Sequence, residues 1–399
     1  MKPEKLTVRQ LISGIPSTYL DAIADETQSD LHQKKLPSKD IFYLLLYGLF
    51  DSTSLSWRVL EEHYKSPIFQ KGFQPSALCI DHSSIGERLE KIPLTYFENL
   101  FDYSFSLFCQ HYQPQDYKRF NLIRFDSTTV TLSSKLLNVG LQGGGYPNKN
   151  ATPKRAIKYS VGFNGTFAVK AKAFFKNIYY SENIALSEII HQTEFKHNDV
   201  AVFDRGLTGK KHLAAISLAD IGFVTRINAQ NILERCTTLP FSTRIGCQDS
   251  TVVVLEDTLV YCFTERYQKV EVPFRLVVCK QKTTGETLYF LTNMIDVKAL
   301  EIAQIYRLRW EIELFFKFIK QNLSFSHLLS RKEHTIQIML YMTLIAASMI
   351  YLYRKLNDID SFKIAKMRFM SQLQIELIRI ILENDYSKKL FAIENLDGP

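Results

Sequence analysis

The sequence predicts a mixed α/β (α+β) protein, with a β-rich centre between helical regions at the two ends of the chain. Three observations lead there. Residues 1–120 carry short amphipathic runs of helical period. From Asn121 the texture changes to β-branched and apolar runs separated by turn residues. From Tyr306 onward, helix formers dominate almost to the end. A chain of 399 residues can hold two or three domains around one large core. The expected organisation is a helical region at 1–120, a core at 121–229, a β-rich insertion at 230–291, a second core segment at 292–330 and a helical region at 331–399.

Composition excludes several classes. Hydrophobic residues at 46% with 23% charged residues describe a globular chain, not a disordered one. Six cysteines without a C-x2-C pair suggest neither a zinc site nor a disulfide framework, so reduced thiols in the cytoplasm are expected. The N-terminal Met-Lys-Pro-Glu-Lys precedes no apolar signal segment. The most apolar run, residues 338–353, falls short of the roughly 20 residues that cross a bilayer. A core helix is expected there, with no membrane partner. A net charge of +8 favours a polyanion, and its distribution sharpens that reading. No acid lies between Asp126 and Glu182, whereas Lys135, Lys149, Lys154, Arg155, Lys158, Lys170, Lys172 and Lys176 do. Such clustering suits a phosphate backbone, and Lys154, Arg155 and Lys158 are candidate contacts. The plainer alternative is a solvated basic face.

Within the first region, Ser38 is a candidate N-cap for the run Ile41 to Leu49, and Ser56–Tyr64, Ile85–Ile92 and Tyr96–His111 continue as helices. These fit a helix-turn-helix reader of DNA ends and a plain bundle equally well. Next come strands at 122–130, 156–163 and 166–175, the last two joined by the hairpin signal Asn164-Gly165. A helix near 185–193 leads to the buried strand 200–203, which ends in Asp204-Arg205-Gly206. Helix 210–217 and strand 222–228 follow. Three strands, helix, strand, helix, strand is the order of a ribonuclease-H-like core. Four short β runs fill 251–291.

Residues 306–320 read as one helix, uninterrupted by Gly or Pro. On a helical wheel Tyr306, Arg309, Glu313, Lys317 and Lys320 share roughly 80° of arc. Leu308, Ile312, Phe315 and Ile319 take the opposite side, with Trp310, Leu314 and Phe318 on a second flank. A helix apolar over most of its circumference is expected to be buried, so its polar stripe must meet a cleft or a ligand. The plainer alternative is a set of i,i+4 ion pairs.

The spacing Tyr306-x2-Arg309-x3-Glu313-x6-Lys320 resembles the Tyr-Arg-Glu-Lys signature of the insertion-sequence-four family of DDE transposases. That resemblance implies two upstream aspartates, Asp126 and Asp204, that join Glu313 as catalytic acids and metal ligands. It further implies two Mg²⁺ ions (or Mn²⁺ in their place), which hard carboxylate oxygens suit. Water would cut a phosphodiester at the element's end, and the freed 3′-OH would attack another, in the opposite strand or in target DNA. Tyr306, Arg309 and Lys320 would grip end phosphates, with Lys317 and Arg205 beside them. The partners implied are double-stranded DNA and a second copy of the chain in a synaptic dimer, working at the nucleoid. Relatives flip a base with an aromatic residue of the insertion, and Tyr289, Phe290 and Trp310 stay unassigned. Two rivals stand: a same-fold nuclease that cuts without joining, and a domesticated DNA-binding protein without catalysis. Among nearby acids, Glu188, Glu194 and Asp199 read as exposed, Asp296 as an N-cap and Glu311 as off the stripe. His197 and His212 read as structural.

Overall fold

In the computed structural model the described residues are 7–33, 35–112, 119–132, 140–142, 155–207, 209–228, 233–238, 249, 251–264, 266 and 268–394. Helices α1 (Val8–Ser13), α2 (Ser17–Glu26), α3 (Ser38–Asp51), α4 (Trp57–Lys65), α5 (Pro67–Phe73), α6 (His82–Lys91) and α7 (Leu94–His111) come first. Ser38 is not the cap expected of it. It is the first residue of α3, and its amide donates to Asp30 Oδ1 at 2.8 Å, so the cap comes from outside the helix. That carboxylate is in turn held by the buried Arg88, which also donates to the carbonyls of Leu36 and Ser29 at 2.8 Å each.

The β region opens with β1 (Asn121–Thr131), β2 (Leu141–Gln142), β3 (Arg155–Phe163) and β4 (Ala168–Phe174). Asn164 caps the β3–β4 turn, its Oδ1 accepting from the amides of Thr166 and Phe167 at 3.1 and 2.8 Å. Helix α8 (Glu182–His191), β5 (Asp199–Phe203), α9 (Lys210–Leu218) and β6 (Gly222–Ile227) complete the core order. β4 pairs with β3 and β3 with β1, both antiparallel, whereas β1–β5 and β5–β6 are parallel. This is the ribonuclease-H-like arrangement. Strands β7 (Leu233–Thr238), β8 (Val252–Cys262), β9 (Phe274–Gln281) and β10 (Thr287–Thr292) extend the same sheet beyond β6, through β10, β9, β8 and β7. A buried, bidentate Arg275–Asp257 pair (2.8 Å for each bond) ties that extension together. Arg275 also donates to the Met294 and Ile295 carbonyls.

Successive strand residues face opposite sides of the sheet. Ile123, Ala201 and Phe203 therefore pack with Leu186 and Ile189 of α8 and Ile216 of α9. Leu122, Val200 and Val202 pack on the other face, with Ile302 and Ile305 of α10 (Ala299–Arg307). The N-cap of α10 is Lys298, and Asp296 does not cap it.

The single helix expected over 306–320 is two: α10 ends at Arg307, and α11 runs Trp310–Asn322. Between them the bonds Arg309 N to Tyr306 O, Glu311 N to Leu308 O and Ile312 N to Arg309 O are of the tighter i→i−3 type. The cause is Arg124. Its fully buried guanidinium takes the Leu308 carbonyl (Nε, 3.0 Å), the Leu122 carbonyl (Nη1, 2.8 Å) and the Glu311 carboxylate (Nη2, 2.8 Å). Burial is also narrower than the wheel suggests. Ile312, Phe315, Phe316 and Ile319 are buried, but Trp310 and Leu314 are exposed.

Helices α12 (Glu333–Leu356) and α13 (Phe362–Glu394) end the chain. α12 is apolar and long enough to cross a membrane by length and composition, yet it is a core helix packed on α3, α7 and α13. Met1–Gln113 and Lys317–Pro399 form one compact unit, and Pro114–Phe316 form the other.

Candidate active site

Pairing of β1 with β5 puts Arg124 opposite Val202 and Phe125 opposite Phe203, so Asp126 and Asp204 are the next residues on two adjacent parallel strands. Strand alternation directs both to the α10 face, because Phe125 and Phe203 belong to the opposite core. Asp204 directly follows β5, at the edge where ligands of open α/β sheets bind, and Asp126 lies midway along β1, just past its last parallel pair with β5. Each acid is fixed locally. Asp126 Oδ1 accepts from the Ser127 amide (2.8 Å), and Asp204 Oδ1 accepts from the Gly206 amide (2.8 Å). The Thr225 hydroxyl donates to the Asp204 carbonyl at 3.1 Å. Gly206 is required by space: an added Cβ would lie 2.6 Å from Glu182 Cγ and 2.8 Å from Asp204 Oδ1.

The electrostatics record how close these groups stand. Burial and the neighbouring Asp204 carboxylate push the Asp126 carboxyl up to about 7, and Glu182 adds to the effect. The Ser127 amide and Arg309 oppose it. Arg309 Nη1 lies 3.8 Å from Asp126 Oδ2, and its Nη2 pairs with Glu313. Burial works against the Arg309 charge, yet Glu313, Tyr306 and Asp126 hold its guanidinium above the usual arginine range. Its Nε is buried and has no hydrogen-bond partner among the described residues. The Tyr306 hydroxyl is raised by burial, with Asp204 contributing.

The structure thus brings Asp126, Asp204, Tyr306, Arg309 and Glu313 into one neighbourhood, with Glu313 joined to the aspartates through Arg309. Two adjacent carboxylates, one strongly raised by burial and by the charge of the other, make a hard-oxygen donor set that a divalent cation would relieve. Among the described residues, no three His, Cys, Asp or Glu side chains are gathered closely enough to hold one ion directly. Arg205 is exposed and donates to Asn228 at 3.3 Å, and Lys317 is exposed on α11. Lys320 lies on the last turn of α11 and Arg155 opens β3. Lys154 lies outside the described residues. Lys158 corrects the expectation that it meets phosphate. It is 4% exposed, and its ammonium donates to the Tyr180 carbonyl (2.7 Å) and to Glu182 (2.8 Å), because β3 turns it inward. Lys172 is likewise paired, with Glu188 at 2.6 Å.

Two residues escaped the sequence reading. Arg124 sits inside a strand pattern, and nothing in its surroundings announces a buried charge. Glu182 ends the acid-free stretch, a signal that marked the cations and passed over the acid closing them.

Comparisons with known proteins point to one family. The transposase y4zB inferred in Sinorhizobium fredii is 28% identical over 158 residues, 40% of this chain and 43% of that one. A transposase inferred for the insertion sequence element IS4SA of Synechocystis is 26% identical over 260 residues, 64% of this chain and 67% of the relative. The chain therefore spans under half the length of the first relative and about two-thirds of the second. Residues 120–349, more than half of the chain, match the family described as the transposase DDE domain, and this chain belongs to that family.

Proposed function

We propose that the chain is the transposase of an insertion sequence, cutting DNA at the element's ends and joining the freed 3′-OH to target DNA. The observation that carries this reading is the Asp126–Asp204 pair on adjacent parallel strands, with the Asp126 carboxyl raised toward neutrality. Asp126 and Asp204 would hold the divalent cations, with Glu313 as the third acid. Bound there, such ions activate an attacking oxygen and steady a leaving one. The chain's own groups do the rest. Arg309 offers a planar fork to a phosphate, and the Tyr306 hydroxyl beside it can donate to a second oxygen. Lys317 and Arg205 add exposed positive charge for the backbone further out.

A second copy of the chain would complete a synaptic complex. Ile364, Met367, Ile375, Ile378 and Leu382 lie exposed along α13 at near-heptad spacing, which suits pairing with an apolar partner helix.

The test is a labelled duplex carrying the element's terminal repeat, mixed with target plasmid. The expected result is cleaved and joined product with Mg²⁺ or Mn²⁺, and neither with chelator or with Glu313→Ala. Cleavage without joining would mark a nuclease instead. Binding without either product would mark a non-catalytic DNA-binding protein.

A further inference from the structure

We propose that Glu182 is a further carboxylate of this centre. In this role it is a positioning residue that receives the water shell of a cation seated on Asp126 and Asp204. The inference rests on the reading given under Proposed function and adds a residue that neither the signature helix nor the two strand aspartates contain.

Two observations place Glu182 there. It flanks the same glycine as Asp204, since one methyl on Gly206 would strike Glu182 Cγ and Asp204 Oδ1 together. Its carboxylate is anchored, because Oε2 accepts from Lys158 Nζ at 2.8 Å while that ammonium also donates to the Tyr180 carbonyl. Lys158 is buried, so moving Glu182 away would leave a charged amine without its counterion, which is costly. The next residue holds the adjoining loop in place: Asn183 Oδ1 accepts from the Gly209 amide at 2.6 Å. Glu182 is also the first residue of α8, the end of a helix that favours negative charge.

The arrangement divides the acids. Arg309 engages Glu313, whereas Glu182 stands beside Asp204 with its own counterion behind it. No third acid among the described residues is near enough to ligate directly together with the aspartates. Glu182 would then meet such a cation through water. Mg²⁺ retains several of its waters when bound by one or two carboxylates, so a carboxylate one water away still contributes to its binding. Groups in that position typically change metal affinity about 10–100-fold.

The experiment is thermal unfolding of the full chain against MgCl₂, with no DNA present. Glu182→Gln keeps the shape and an acceptor for Lys158 while removing the charge. Glu188→Gln, on the same helix and also paired with a lysine, removes an equal charge away from the site. The Mg²⁺ midpoint is expected to rise about tenfold or more in Glu182→Gln and to stay within about twofold of wild type in Glu188→Gln. Equal midpoints in wild type and Glu182→Gln, or equal shifts in both variants, would overturn the proposal. If Glu182→Gln does not fold, Glu182→Asp decides. It keeps the charge on a shorter arm, and a midpoint unchanged from wild type would then count against a positioned carboxylate. Asp126→Asn should lose the Mg²⁺ response altogether. A wild-type chain without any response would bring down the functional reading itself, an outcome distinct from failure at Glu182.

Discussion

On the proposed function, Asp126 carries a conflict between stability and activity. Its folded carboxyl titrates near 7, well above the ordinary aspartate value of 3.8. Folding thus favours the protonated form, and the associated stability is whole below about pH 4 and gone above about pH 7. Asp126→Asn should therefore unfold like wild type near pH 3.5. At pH 8.5 without metal it should be more stable by about 1–2 kcal/mol, or roughly 2–6 °C in Tm. The same variant should cut no DNA. Scanning fluorimetry at both pH values, beside a cleavage assay, checks both halves. Gly206→Ala acts on the same pair by a steric route. Its methyl must part Asp204 from Glu182, with an expected cost of about 1–3 kcal/mol by denaturant titration and a large loss of cleavage. At this scale the sequence was legible where chemistry was local. Asp204 closes a buried strand before a glycine, and Glu313 lies inside a spaced signature. Lys158 was misread because its partner is set by strand register, which charge clustering does not encode.

The junction between α10 and α11 depends on one residue of a different element. Arg124 of β1 supplies the donor that draws the Leu308 carbonyl out of the helical ladder, and Glu311 is its counterion. Replacing it with Met removes three polar contacts and takes the counterion from Glu311. The expected loss is about 2–4 kcal/mol in chemical denaturation, with Arg309 and Glu313 released from register and cleavage falling in proportion. Glu311→Gln should cost less, since that side chain is partly exposed. The order of elements could be read from period and turn signals: the Asn164-Gly165 hairpin, the strand before Asp204 and the helix after it all appear near their expected bounds. The helix break could not. Residues 306–320 are good helix formers throughout, and the interruption comes from a guanidinium far away in sequence. The burial of Trp310 and Leu314 was overestimated for a related reason, because apolar character fixes what a helix can bury, not what neighbour arrives to cover it.

For the whole molecule, charge and connectivity matter most. With a net charge of +8, DNA affinity should fall steeply with salt. Lys317→Ala and Arg205→Ala should each reduce the slope of log K against log salt by about 1, without changing which sequence is preferred. Fluorescence anisotropy over a salt series measures this. The helical unit is built from two distant pieces of chain, Met1–Gln113 and Lys317–Pro399, with the whole β region threaded between them. During synthesis α3 and α7 leave the ribosome long before α12, the helix they pack against, has been made. At about 5–20 residues per second that wait lasts roughly 10–40 s. The early helices spend it with their apolar faces bare, open to chaperones, and any copy whose reading frame breaks inside the β region never closes that unit. Damage anywhere downstream thus silences the N-terminal helices as well.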